Sequence, residues 1–157
     1  MAYISASFIS AGKKTMRDGN KKYLIEFGKP NLANEWSEVS SPDNRKMMSA
    51  YREFFRLGKS EWIKLVKKGK LVKYTKTQTK AIENTEAAIT NAFKKLDKLK
   101  QERAMNQILS GKVELSIVAK WSDGFKFLVA GNTRLVAQME AFGEGCVWQF
   151  DVPDDGE

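Results

Sequence analysis

Between Lys112 and Val152 the chain reads KVELSIVAKWSDGFKFLVAGNTRLVAQMEAFGEGCVWQFDV, and its glycines divide it into apolar pieces of different period. VELSIVAKW is rich in β-branched and apolar residues and reads as a strand. Ser122-Asp123-Gly124 makes a tight turn, and FKFLVA is the returning strand. After Gly131 the spacing changes. Leu135, Val136 and Met139 recur at helical intervals, and Gly143 ends that helix. CVWQFDV is a last strand. Residues 112–152 therefore spell a β-hairpin, a helix and a strand, which calls for an α+β fold.

The rest of the chain is read by the same signals. Residues 1–30 hold two apolar runs, YISASFI and KKYLIEF, separated by GKKTMRDGNKK. They are expected to pair as an N-terminal hairpin with Asp18-Gly19-Asn20 at its turn. NLANEWSEVS shows no clear period and is expected to be a loop. A basic helical section is expected over 41–110. Ser41, Pro42 and Asp43 suit a helix start, and Met47, Met48, Tyr51, Phe54 and Phe55 form its apolar face. Gly58 ends that helix, and Ser60 caps a second one, EWIKLVKK, with Trp62, Leu65 and Val66 on its apolar side. KLVKYTK is a short strand or an extended linker. Residues 77–109 lack Gly and Pro and are expected to form one long helix. In that run Ile82, Ile89 and Leu96 repeat every seven residues, a stripe suited to another helix or to a homodimer.

Composition removes several chemistries. The chain has no histidine and a single cysteine, Cys146. Triads and zinc sites built on histidine are excluded, and no intramolecular disulfide can form. No metal site is expected. There is no apolar run long enough for a bilayer and no basic leader, so a cytoplasmic protein without membrane contact is expected. The net charge of +8 is uneven: residues 43–103 carry 17 basic and 7 acidic side chains, whereas 104–157 carry 4 and 8. Lys94, Lys95, Lys98, Lys100 and Arg103 gather in one stretch. They either complement a helix C-terminus or contact nucleic-acid phosphates.

The turn Gly131-Asn132-Thr133-Arg134 has every component of an anion site. A glycine permits close approach, Asn132 or Thr133 can cap the helix, and the free N–H groups of the first turn point outward. Arg134 adds a planar cation that grips two oxygens. A turn that only joins strand to helix has the same spacing, so the pattern alone does not choose.

The stretch DGFKFLVAGNTRLVAQMEAFG resembles the core of the ParB N-terminal/sulfiredoxin-like superfamily, through Gly131, Arg134, Ala137 and Gly143. The GNTRL version is similar to ParB-like proteins of bacteriophages and mobile elements. The resemblance covers about the last third of the chain. It implies a small mixed sheet, here carrying a helical insert with one long helix, in a single domain spanning 1–157 with the ParB-like core at 112–152. It also implies that Gly131, Asn132, Thr133 and Arg134 hold nucleotide phosphates, so the cofactor is either a nucleoside triphosphate with magnesium or none. Partition proteins have Glu and Arg where this chain has Asn132 and Thr133. Sulfiredoxins place their catalytic cysteine at the position of Asn132. Neither CTP-clamp behaviour nor sulfinic-acid reduction is therefore expected.

Three functions are weighed. In the first, a ParB-like phosphate- or nucleotide-binding protein associates with DNA through its basic residues. In the second, a small ATP-dependent phosphotransferase uses Glu114 or Asp123, the carboxylates that flank the first strand of the motif, as its base. In the third, a non-catalytic phage protein captures a host protein through Met47, Met48, Phe54, Phe55 and Trp62. The first is preferred.

Overall fold

A computed structural model of the chain describes residues 8–41 and 57–153. The helix expected to start at Ser41, with its Met and aromatic face at 47–55, lies outside the described residues. The elements in chain order are β1 (Ser10–Asp18), β2 (Lys21–Gly28), α1 (Leu32–Val39), α2 (Lys59–Val66), β3 (Lys70–Tyr74) and α3 (Lys76–Lys80). A 3-10 turn at Phe93–Lys95 follows, then α4 (Lys98–Ser110), β4 (Lys112–Glu114), β5 (Ser116–Lys120), β6 (Lys126–Ala130), α5 (Asn132–Phe142) and β7 (Gly145–Asp151). The fold is α+β.

The strands form two sheets, one ordered β1-β2-β4 and one ordered β3-β7-β5-β6. Both are mixed: β2 pairs with β4 and β5 with β7 in parallel, while the other pairs are antiparallel. The run VELSIVAKW is not one strand. It breaks at Leu115, so that β4 joins the first sheet and β5 the second. Leu115 at the crossing is fully buried, and its N–H donates to the carbonyl of Gly28 at 3.0 Å.

The N-terminal hairpin forms with KKYLIEF as its second strand, as expected, but its first strand is not YISASFI. GKKTMRD, read as the connection, is itself most of β1, and it pairs residue by residue with β2 down to Asp18↔Lys21. The turn is the two residues Gly19-Asn20, with Gly19 at φ 61°. Only Met16 of β1 is buried, so the run lacks the alternation that marks a half-buried strand. Its register comes from the tight turn and from the partner strand.

The long helix expected over 77–109 does not exist. The run contains α3, which has a Thr75–Gln78 capping box, an irregular passage, and α4, capped by Asp97. The cause is the open edge of β6. Glu83 bridges in parallel to Phe127; its N–H donates to the Lys126 carbonyl, and its carbonyl accepts from Leu128 N, both at 2.9 Å. Asn84 Nδ2 adds a bond to the Leu128 carbonyl. A buried strand edge leaves N–H and C=O groups that must be paired, and that demand outweighs helix propensity here. Asn84 and Asn91 take positive φ, 65° and 59°, a region asparagine tolerates better than most residues. The heptad stripe thereby loses its helix. Ile82 is buried against the sheet, while Ile89 is 47% exposed. The homodimer expected through that helix has no such surface to use.

α5 packs against β7, α4 and β1. Its buried Gln138 acts as an extra strand neighbour, with Nε2 donating to the Cys146 carbonyl at 3.0 Å and Oε1 accepting from Cys146 N at 2.8 Å. Trp62 is buried at 1% exposure and leans on Trp36 with ring centroids 5.4 Å apart. It is a core residue and not the partner surface considered for it. Trp148 covers Gly69, where a Cβ would collide with its indole nitrogen, and that nitrogen donates to the Val66 carbonyl at 2.8 Å.

Cys146 is fully buried, and burial pushes its thiol from 9.0 up to about 12. Burial likewise raises the Tyr74 hydroxyl above its ordinary value, with Asp151 adding to the effect. The unfolded chain therefore releases these protons at lower pH than the folded one. Stability from both groups is full below about pH 9 and is lost as pH rises toward the folded values. Melting temperature should hold to about pH 9 and then fall, and Cys146→Ala should fall less steeply than wild type. Equal alkaline slopes in the two proteins would show that the thiol does not contribute. Native protein should also resist thiol reagents until it is unfolded.

Candidate functional site

β6 delivers the chain to Gly131, which sits at φ 92°, ψ 33°. A Cβ there would lie 2.6 Å from Arg134 Nη2, 2.7 Å from Ser116 Oγ and 2.9 Å from Ser116 Cα. Both the left-handed backbone and the crowding require glycine. Ser116 Oγ donates to the Gly131 carbonyl at 2.6 Å and fixes the turn. The glycine thus makes room for the arginine three residues later.

Neither Asn132 nor Thr133 caps α5. The N-cap is Gly131, with no side-chain cap bond. Asn132 faces away from its own helix: Oδ1 accepts from Thr85 Oγ1 at 3.1 Å and from Glu86 N at 2.8 Å. Thr85 Oγ1 in turn accepts from Ala87 N. Asn132 is thus the anchor of the irregular passage 85–87, and its side chain is already committed.

Arg134 is committed as well. Nη2 lies 2.7 Å from Glu35 Oε1 and Nη1 lies 3.5 Å from Glu114 Oε2. The side chains of Arg134, Glu35 and Glu114 are 18%, 12% and 19% exposed. One guanidinium thereby joins α1, β4 and α5. Glu35 belongs to NLANEWSEVS, which is the helix α1 and not the loop expected. The signals are present: Asn31 accepts from Asn34 N as an N-cap, Glu35 stands in the first turn, and Val39 is buried. Leu32, Trp36 and Val39 have the spacing of one helical face.

The turn opens into a cleft of about 510 Å³. Thr133, Gly131 and Arg134 line it together with Lys100 from the first turn of α4. Lys100 is the member of the basic group that reaches the turn. Lys94, Lys95, Lys98 and Arg103 are exposed and lie outside the cleft lining. They make no ion pair with another described residue. Glu35, Glu38 and Glu86 also line the cleft. With Lys100 and Arg134 they give it three negative and two positive side chains, and nothing in the sequence around the three acids marks them as neighbours of the turn.

The two carboxylates nominated as bases are placed differently. Glu114 is the second partner of Arg134. Asp123 stands in the β5–β6 turn, where Oδ1 accepts from Phe125 N at 3.0 Å. β6 runs from that turn to Gly131, so about 16 Å of strand separates Asp123 from the Gly131–Arg134 turn. Among the described residues no group of three His, Cys, Asp or Glu is placed to hold a metal ion.

Arg134→Ala would leave Glu35 and Glu114 facing each other without a cation. Breaking a mostly buried pair by removing one partner costs about 3 kcal/mol or more. Lys100→Ala, at an exposed residue, should change stability by about 0.5 kcal/mol or less. Adding Glu35→Gln and Glu114→Gln to Arg134→Ala should recover part of the loss. Denaturant melts check the order, and a triple variant no more stable than Arg134→Ala would sink the account. No protein-family model, curated protein or solved structure matches the chain.

Proposed function

We propose that the chain is a ParB-like, phage-type phosphate-binding protein that associates with DNA by its backbone. The observation that carries this reading is the position of Lys100. It belongs to the basic run 94–103, and it lines the same cleft as the uncapped start of α5 at Gly131–Arg134. A phosphate seated on the amides of that first turn receives the helix dipole and the Lys100 ammonium together. Lys94, Lys95, Lys98 and Arg103 are exposed in the same run and would add sequence-independent attraction for a polyanion.

The lining favours a backbone phosphate over a free nucleotide. Among its described residues the cleft has no aromatic ring, and Leu96 is its one large apolar side chain. Nucleotide pockets enclose the base in apolar or aromatic surface, and among the described residues such a surface is missing beside this turn. A magnesium ion would have to arrive already bound to the triphosphate. The amides, Thr133 and Lys100 fit a phosphate group, and no described residue beside them fits a base.

The phosphotransferase reading has less to rest on. Glu38 and Glu86 lie in the cleft and could orient an acceptor hydroxyl in place of Glu114 or Asp123. ATP turnover that is lost in Glu86→Gln would favour it.

Duplex DNA of arbitrary sequence should bind at low salt, with log affinity falling linearly against log salt. Lys100→Glu should weaken binding and lower the slope by about 0.9 for each phosphate that is no longer neutralised. Lys94→Glu/Lys95→Glu/Lys98→Glu should weaken it further. Fluorescence anisotropy over a salt series reads both quantities. Absence of binding at the lowest salt, or charge-reversal variants that bind like wild type, overturns the proposal.

A further inference from the structure

We infer that Glu35 is an internal occupant of the phosphate seat, an autoinhibitory carboxylate that a DNA phosphate displaces from Arg134. This rests on the backbone-phosphate reading above. The two partners of Arg134 lie on different sides of it. Glu35 lines the cleft at the start of α5, whereas Glu114 lines a separate cavity of about 450 Å³ beside Trp148 and Leu32. The Glu35 contact is the close one, 2.7 Å against 3.5 Å for Glu114. The same Nη2 that holds Glu35 lies 2.6 Å from where a Gly131 Cβ would be. Its carboxylate partner therefore lies near the turn from which α5 begins, and both line the same cleft. A carboxylate and a phosphate present the same pair of oxygens to a guanidinium fork.

The two carboxylates also differ in how they are held. Glu114 belongs to β4, which pairs along β2 from Glu26↔Lys112 to Gly28↔Glu114. Glu35 rides on α1, an eight-residue helix with one buried residue, Val39. α1 leans on α2 through the Trp36–Trp62 contact. If one arm of the clamp lets go, it is the one on the short helix. With Glu35 in place the three charges sum to −1 and repel a polyanion. With Glu35 withdrawn, Arg134 regains a free edge facing the cleft.

The test compares wild type, Glu35→Gln, Glu114→Gln and Lys100→Glu by anisotropy with duplex DNA, and by thermal shift with ATP and inorganic phosphate. Glu35→Gln should bind DNA about tenfold tighter, the worth of one charge-assisted bond, with a salt slope steeper by about 0.9. Glu114→Gln, which also loosens the hold on Arg134, should tighten binding less than Glu35→Gln, because its carboxylate faces the other cavity. In wild type, amide exchange over 32–39 should quicken when DNA binds, a readout that needs no variant to fold. Tightening for DNA alone assigns the seat to backbone phosphate. Tightening for ATP as well assigns it to phosphate in general, and both support the inference. Binding by Glu35→Gln where wild type shows none also supports it. If wild type binds and Lys100→Glu weakens, but Glu35→Gln matches wild type and α1 exchange is unchanged, the inference falls and the DNA reading stands. If neither wild type nor Glu35→Gln binds at the lowest salt, both fall.

Discussion

A single guanidinium held between two carboxylates organises this protein. Arg134 draws α1, β4 and α5 to one point, and those elements come from distant parts of the chain. The charges are mostly withdrawn from water, so each depends on the others. A buried ion cluster of this kind adds little net stability compared with apolar packing, yet it is costly to break in part. Its value lies in position. It fixes where the short helix sits, and the helix sets the wall of the cleft. Gly131 beside it is required by its own left-handed backbone and by the closeness of Ser116, and it also leaves space for the guanidinium.

That arrangement changes how an arginine in such a turn should be judged. From the sequence, Gly-x-x-Arg looks like a hand held open for an anion. In the fold the hand is closed on the protein's own acids. Loss of ligand binding in an Arg134 variant would therefore be ambiguous, since the same change unsettles the structure. Lys100 is the cleaner probe, because it reaches the cleft while remaining exposed.

The parts legible in the sequence are those decided locally. From 112 to 151, glycines at 124, 131 and 143 take positive φ, and they mark the turns that separate strand from helix. The Gly19-Asn20 hairpin is likewise local. What escaped was decided by partners far away in the chain. Nothing within 77–109 announces that Glu83 must satisfy the edge of β6, so the absence of Gly and Pro reads as helix. Nothing within GKKTMRD announces a strand, because its neighbour β2 and not its own pattern holds it. The candidate site divides in the same way. Gly131 and Arg134 stand out in the sequence, but the closer partner of Arg134, Glu35, is 99 residues away, and Asn132 finds its partners 46 and 47 residues away.

The irregular passage that replaces the expected helix has a further role. FKFLVA is a short, strongly β-prone apolar segment, and an uncovered β6 would offer its backbone to any similar strand. Such edges seed intermolecular pairing and fibrils. Glu83 and Asn84 close that edge with a charged residue and an amide rather than with another apolar strand. Asn132 tethers the passage beside them at its 85–86 end. The side chain that looked like part of a ligand site is thus also part of the protein's defence against self-association.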